Sequence, residues 1–333
     1  MSSPATIEIG VPGNKTRVPR IGLGTMGMSP VYGKVDDNQS VDVLNHAIDI
    51  GCTLWDTSDV YGAGHNERLL SRVLKERRSD VFLCTKFGVT FTTPTSDNVS
   101  NFSELITGAD GSPEYVRKCI EDSLTRLGVD YIDLYYQHRM DPSVPIEDTV
   151  KAMAELVKEG KVRFIGLSEC TPEILRRAHK VHPITAVQVE YSPWSVHIET
   201  DGILDTCREL GITVVAYSPL GRGIMSGKIR SLEDLDENDW RRKNPRFTKE
   251  HFEHNLKLVD AFDSLAKKHG CTSGQLALAW LLTQEKNLIL IPGTKKIKYL
   301  DENFGANNIK LTEEEIKELR ELVNNTKIKG TRY

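Results

Sequence analysis

The chain has no run of apolar residues approaching the ~20 that a membrane-spanning helix needs. Its first residues, MSSPATIEIG, lack a basic segment leading into a long apolar core, so a cytoplasmic protein with no membrane partner is expected. The six cysteines, Cys52, Cys84, Cys119, Cys170, Cys207 and Cys271, are scattered singly, with no CxxC pair and no metal-ligand spacing. That argues against a disulfide scaffold and a structural zinc site, and predicts reduced, mostly buried thiols. Basic charge is not in excess: 43 Lys and Arg stand against 47 Asp and Glu, a net charge of −4. With a pI near 6.2 and no recognisable binding motif, nucleic acid is not an expected partner. A Pro/Gly/Ser-rich linker is also missing. The 333 residues are therefore read as one domain, 1–333, since barrels of alternating strand and helix commonly exceed ~250 residues.

What the sequence does have is a rhythm. Residues 6–21, TIEIGVPGNKTRVPRI, alternate around a Pro-Gly-Asn turn and predict a β-hairpin. Short β-branched runs then alternate with amphipathic stretches: IGLG with 40–50, CTLWD with 65–77, VFLCTK with 113–127, and YIDLYY with 147–159. The series continues as VRFIGLS with 172–180, AVQVE with 201–210, ITVVAYS with 252–268, and LILIPG with 296–306. Eight strand and helix pairs predict an α/β fold, a (β/α)8 TIM barrel. A final amphipathic segment, LTEEEIKELRELVN at 311–324, begins with a Thr N-cap and early glutamates and predicts an extra C-terminal helix.

Two stretches, 88–112 and 219–250, are too long for ordinary connections of this fold, and both follow strands on one face. They are expected to shape access to a site there. Gly22, Gly24 and Gly27 spell GxGxxG, but MSPVYG follows where a dinucleotide-binding fingerprint needs a helix, so that assignment is rejected.

Asp56, Tyr61, Lys86 and His138 each fall at or just past the C-terminal end of a strand-like run, in LWDTSDVY, VFLCTKF and IDLYYQH. Strand ends on one face of a barrel converge, so these four are expected in one cleft. A phenol beside an ammonium, a carboxylate and an imidazole is a proton-transfer centre. No Ser or Cys with an evident base sits at a comparable strand end, which points away from nucleophilic catalysis. A nearby ammonium is expected to lower the phenol below its ordinary pKa of ~10, toward the operating range. His138 has no HExxH-type companion, and His179, His182, His251 and His254 read as surface residues, so no metal is expected.

With this tetrad, and with IGLGTMGMS, GLSE, VQVEYSPWS, AYSPLGRG and IPGTKKIKYLDEN in order along nearly the whole chain, the sequence resembles the aldo-keto reductase superfamily. The resemblance implies NADPH-dependent reduction of an aldehyde or ketone. Tyr61 would be the general acid, Asp56 the anchor that keeps Lys86 charged, and His138 a hydrogen-bond donor to the carbonyl oxygen. It also implies that the hairpin closes the bottom of the barrel. NADPH/NADP+ would be held by Gly24 on the first strand, by Ser168, Glu169 and Gln188 at the nicotinamide carboxamide, and by Tyr217 stacked on the ring. Ser218, Leu220 and Arg222 would cover the pyrophosphate. Gly293, Thr294, Lys295, Lys296 and Lys298 would hold the 2′-phosphate, and Glu302 and Asn303 the adenine. Much of the superfamily has Asn where Glu169 stands, and a carboxylate cannot donate to the carboxamide oxygen.

The GLSE and HRMD variants look most like the branch containing plant carbonyl reductases and microbial pyridoxal reductases, which suggests an aromatic or heteroaromatic aldehyde. Trp55, Trp194 and Phe91 are candidates for an apolar substrate pocket, although tryptophans more often serve the core, and Arg139 is read as structural. Two rivals stand beside this reading. One is a cofactor-binding regulatory or redox-sensing subunit of the same fold; the other is a barrel hydrolase using Asp56 with His138, which leaves the lysine cluster unexplained.

Overall fold

A computed structural model describes residues 5–30, 35–92, 106–237 and 239–332. The chain opens with strands β1 (Thr6–Val11) and β2 (Asn14–Pro19), paired antiparallel from Thr6↔Pro19 to Val11↔Asn14. Pro12 and Gly13 are left to make the turn, and Gly13 sits at φ +83°, where a side chain would be strained. There follow β3 (Leu23–Gly24), α1 (Asp37–Asp49), β4 (Leu54–Asp56), α2 (His65–Arg77), β5 (Phe82–Phe87), β6 (Val89–Phe91) and β7 (Ile106–Ala109). Next come α3 (Pro113–Leu127), β8 (Ile132–Gln137), α4 (Ile146–Lys158), β9 (Val162–Ser168), α5 (Pro172–Val181), β10 (Ala186–Glu190) and α6 (Ile203–Leu210). The last elements are β11 (Thr213–Tyr217), α7 (Lys249–Lys268), α8 (Ser273–Gln284), β12 (Leu288–Ile291), α9 (Ile297–Gly305) and α10 (Glu313–Asn325).

Eight strands form one sheet in the order β3-β4-β5-β8-β9-β10-β11-β12, with parallel neighbours throughout. The sheet closes on itself through parallel bridges Ile21↔Leu290 and Gly24↔Gly293. Gly22 N donates to Leu290 O at 2.8 Å, and Leu290 N donates to Arg20 O at 2.8 Å. The expected TIM barrel is the observed architecture. Ile9 and Val18 of the hairpin join Leu54, Phe82, Leu134, Phe164, Val215 and Ile289 in one buried apolar cluster, so the hairpin plugs the end where the strands begin. The opposite end stays open.

The helices start where the sequence supplies caps. Ser112 and Thr171 accept from backbone N–H groups at the starts of α3 and α5, each followed by a proline at the first helical position. Thr312 and Glu315 form a capping box at the head of α10, the extra C-terminal helix expected from its period. All six cysteines are free, and five are buried.

Three expectations change. The stretch 252–268, read as the seventh barrel helix, lies in α7, but the ring position between α6 and α9 is taken by α8, which packs on β12 and α9 while α7 lies outside it. The segment SGQLALAWLLTQ of α8 buries nearly its whole circumference, including Leu276, Leu278, Trp280 and Leu281, so it carries no amphipathic period for a sequence reading to find. The stretch 88–112 is not all connection. Its ends pair as the antiparallel ribbon of β6 and β7, and residues 93–105 lie outside the described residues. Between β11 and α7 the chain folds as short helical turns at 221–226, 232–234, 240–243 and 245–247. Among the described residues, no helix is long and apolar enough to cross a membrane.

Because Ile9 fills the closed end and lies far from the open one, Ile9→Ala is expected to lower unfolding free energy by ~2–4 kcal/mol. Ligand dissociation constants should be unchanged. Urea unfolding followed by circular dichroism checks the first, and titration of the folded variant the second.

Candidate active site

At the open end, Lys86 in β5 is fully buried. Its Nζ donates to Asp56 Oδ1 at 2.6 Å, to Thr57 O at 2.7 Å and to Tyr61 Oη at 3.2 Å, which uses all three ammonium protons. Parallel pairing of β4 with β5 brings these groups together, with Asp56 opposite Cys84 and Lys86 two residues further along. Asp56 Oδ2 accepts from Gln188 Nε2 of β10 at 2.8 Å, so both carboxylate oxygens are satisfied across the barrel interior. Tyr61 follows β4 in a turn that Asn66, fully buried, knits together. Asn66 accepts from Thr25 Oγ1 (2.6 Å) and Thr57 Oγ1 (2.7 Å), and its Nδ2 donates to Thr25 O and Ser29 Oγ (both 2.9 Å). His138 directly follows β8. Its Nδ1 lies 3.1 Å from Ser58 Oγ, and its ring meets that of Tyr61 edge to face at 5.9 Å. The four residues predicted to converge do so.

Burial would lower the Lys86 pKa, but the charges of Asp56 and Tyr61 more than offset it, so the ammonium is held charged. The phenol behaves differently from expectation. Burial raises the Tyr61 pKa, and Asp56 adds to that, against the lowering from Lys86; the net direction is up. The sequence reading weighed the ammonium without the desolvation that accompanies it. His138 is driven well below the ordinary imidazole range by burial and by the positive charges of Lys86 and Arg139, and it stays neutral near pH 7.

Asp56, Tyr61 and His138 form part of the wall of a cavity of about 850 Å³ at the C-terminal ends of the strands, with Lys86 buried behind them. At that size it lies within the ~300–1,000 Å³ usual for small-molecule sites. Gly24, Ser168, Gln188, Tyr217, Ser218, Leu220 and Arg222 line it, as do Gly293, Thr294, Lys295, Lys296, Glu302 and Asn303. Gly24 has a further reason to be glycine: a Cβ there would stand 2.7 Å from Ile291 O across the seam where the barrel closes. The backbone at the rim is unusual. Glu169, Ser218 and Arg222 all adopt left-handed φ, at +53°, +49° and +59°, a conformation that non-glycine residues hold only where surroundings fix it.

Two predicted residues fall elsewhere. Glu169 does not line the cavity: its carboxylate accepts from Glu190 N at 3.0 Å and Tyr217 Oη at 2.9 Å and pairs with Arg332 at 2.5 Å. It supports Tyr217 from behind. Burial would raise its pKa, but Arg332 and these hydrogen bonds hold it low. Lys298 is exposed on α9 and also absent from the lining. Trp55 and Trp194 are core residues, and the tryptophan at the cavity is Trp240. Arg139, read as structural, lines the cavity and donates to His138 O at 2.8 Å.

Sequence reasoning also missed Lys228, Trp240 and Arg241, which line the cavity from the 219–250 stretch. That stretch was flagged by length, but nothing in its pattern singled out these side chains. Lys295 is depressed by burial, by Lys296 and by Arg241, the signature of cations crowded around a place suited to an anion. A small apolar cluster of Val60, Tyr61 and Val89, with Met26 and Phe91 packed on it, stands beside the phenol.

The aldo/keto reductase family profile matches residues 20–324. The chain belongs to the aldo/keto reductase family. It is 46% identical to the NADP(+) aldo-keto reductase yakc of Schizosaccharomyces pombe, over 96% of this chain and 93% of that protein. It is 49% identical to aldo-keto reductase str7 of Strobilurus tenacellus, over 95% and 92%. Among solved structures, the glycerol dehydrogenase of Gluconobacter oxydans superposes with a TM-score of 0.86 at 30% identity, covering 99% of this chain and 98% of that one. An aldo/keto reductase from Klebsiella pneumoniae in complex with NADP and acetate gives a TM-score of 0.71 at 27% identity, covering 95% and 96%.

Lys86→Met should leave Asp56 buried without its charge partner and cost roughly 3–5 kcal/mol of stability. The double variant Asp56→Asn/Lys86→Met should recover a substantial part of that loss. Denaturant midpoints of the two variants decide whether the pair is a coupled buried charge system.

Proposed function

We propose that this member of the family reduces aldehydes or ketones to alcohols with NADPH, the whole chain acting as one barrel domain. The observation that carries the proposal is the Lys86 ammonium bonded at once to Asp56, Thr57 O and the Tyr61 hydroxyl on the wall of the cavity. When bound, NADPH supplies the hydride that reduces the carbonyl carbon. Tyr61 Oη delivers the proton to the carbonyl oxygen, and Lys86 steadies the phenolate left behind. His138, neutral and with Nδ1 occupied by Ser58, turns Nε2 to the carbonyl oxygen and orients it.

The cavity residues fit the cofactor. Ser168 and Gln188 stand where the nicotinamide carboxamide would be held, although one Gln188 proton is already committed to Asp56. Tyr217, its hydroxyl fixed by Glu169, would offer its ring to the nicotinamide. Of the residues that line the cavity, Ser218, Leu220 and Arg222 would cover the diphosphate, Lys295, Lys296 and Arg241 would hold the 2′-phosphate, and Glu302 and Asn303 would meet the adenine. Support for NADP also comes from the S. pombe relative and the K. pneumoniae complex. Met26, Val60, Val89 and Phe91 beside Tyr61 favour a flat apolar substrate, and an aromatic or heteroaromatic aldehyde is the class to test first.

Tyr61→Phe removes the acid while sparing most packing, so kcat should fall by at least ~10² with NADPH affinity little changed. Since the protonated phenol is the active form and its pKa is raised, the Tyr61-dependent decline in reduction should appear only as pH rises beyond the ordinary phenol value of ~10. A Tyr61→Phe enzyme with near-normal turnover would refute the assignment.

NADPH should bind at least ~10-fold more tightly than NADH, equivalent to ~1.4 kcal/mol. Rising salt should narrow the gap, because exposed phosphate contacts are screened over ~8 Å at physiological ionic strength. In Lys295→Ala/Lys296→Ala the NADPH dissociation constant should rise and that for NADH should change little. Equal affinities for the two cofactors in the unmodified protein, measured by fluorescence titration at low salt, would sink the phosphate-site assignment.

A further inference from the structure

Behind His138 lies a second ionisable group that the reaction scheme does not use. Ser58 Oγ sits 3.1 Å from His138 Nδ1 and 3.1 Å from Asp59 Oδ1, with Lys86 O further off at 3.5 Å. Ser58 is fully buried and Asp59 nearly so. A hydroxyl has one proton to give, so it cannot donate to Asp59 and to His138 at the same time. Which partner receives it depends on the charge of Asp59.

We propose that Ser58 and Asp59 are positioning residues that decide which ring nitrogen of His138 carries the proton, and so whether Nε2 donates or accepts in the cavity. An ionised Asp59 draws the Ser58 proton, Ser58 Oγ then accepts from His138 Nδ1–H, and Nε2 is left as a lone pair. With Asp59 protonated, its O–H donates to Ser58 Oγ, the serine proton turns to Nδ1, and the ring proton stands on Nε2. The interconversion is balanced: one proton enters from the cavity at Nε2, the Nδ1 proton passes to Ser58, and the Ser58 proton passes to Asp59 Oδ1. The imidazole is neutral before and after.

The surroundings place this change near neutrality. Burial, and then the Glu67 carboxylate of α2, raise the Asp59 pKa to about 7, against lowering by Ser58, Arg126 and Val60 N. Glu67 is itself held by Arg126 at 2.6 Å and by Thr85 Oγ1 at 2.7 Å. The other titratable groups facing Asp59 are Tyr115 and Cys119 of α3 and Tyr135 of β8, all raised by burial and therefore uncharged near pH 7. His138 titrates well below this range, and the Tyr61 and Lys86 pKa values are raised above their ordinary, already basic values.

For the proposed reductase, on which this consequence rests, the acid form of Asp59 is the one that lets His138 donate to a carbonyl oxygen. Reduction should lose up to ~10-fold in kcat/KM as pH rises through about 7, the worth of one hydrogen bond.

The test follows the ring nitrogens directly. In ¹⁵N-histidine-labelled protein, long-range ¹H–¹⁵N spectra would be recorded between about pH 5.5 and 8.5, the span in which His and perturbed carboxyls titrate. His138 is identified by the signals lost in His138→Gln. His138 should shift from the Nε2–H to the Nδ1–H tautomer with rising pH in the unmodified protein. Asp59→Asn should abolish the shift, and so should Ser58→Ala, which keeps the carboxyl but cuts the link. A single tautomer throughout, or a shift that survives in Ser58→Ala, would overturn the relay. A tautomer shift with no matching step in kcat/KM would instead uphold the relay and overturn the role given to His138 in the reaction.

Discussion

The buried bond between Lys86 and Asp56 is the constraint around which the open end of the barrel is arranged. Two charges removed from water are costly unless each is matched, and here every proton of the ammonium and both oxygens of the carboxylate have partners. The partners come from separate strands and the loop after one of them. A shift in the register of β4 against β5, or a displacement of β10, would therefore leave a charge uncompensated. The same pairing that closes the barrel thus fixes the position of Tyr61 Oη to within hydrogen-bonding distance of the ammonium.

Charge is distributed unevenly along the cavity. Near Tyr61 the ion pair is internally balanced and the imidazole is neutral, which suits the proton transfer proposed there. At the other end Lys295, Lys296 and Arg241 stand close together, and burial and then its two cationic neighbours depress Lys295, an arrangement that gains from an anion. Tyr217 lies between, its hydroxyl held by Glu169, which Arg332 anchors in turn. The strained backbone at Glu169, Ser218 and Arg222 lies along this middle section, where the loops after β9 and β11 bend into the cavity.

Much of the site was legible in the sequence because its residues stand at strand ends, and the barrel converts that position into proximity without further information. Asp56, Tyr61, Lys86 and His138 were readable for that reason, whereas Gln188 and Tyr217 came only from the resemblance of VQVE and AYSPLG to the family's motifs. Glu169 was misplaced because its motif position carries no sign of Arg332, which is 163 residues away and joins it only in the folded chain. Lys228, Trp240 and Arg241 come from a stretch without period, where side-chain direction is set by a succession of tight turns. The ring helix α8 escaped notice because burial on all sides erases the amphipathic signal that revealed the other helices.

The sequence by itself determined the alternating strand and helix architecture, the N-terminal hairpin, the capped C-terminal helix and the four polar residues that meet. Those features follow from local periodicity, capping chemistry and the parallel geometry of a barrel. Only the tertiary structure decided the direction in which the Tyr61 pKa moves, because desolvation and the field of Lys86 oppose one another and their balance depends on depth of burial. It alone placed Ser58 between His138 and Asp59, and it alone separated the lysines that line the cavity from Lys298, which is exposed and not part of its wall. These are matters of distance and burial between residues remote in the chain, and no local pattern encodes them.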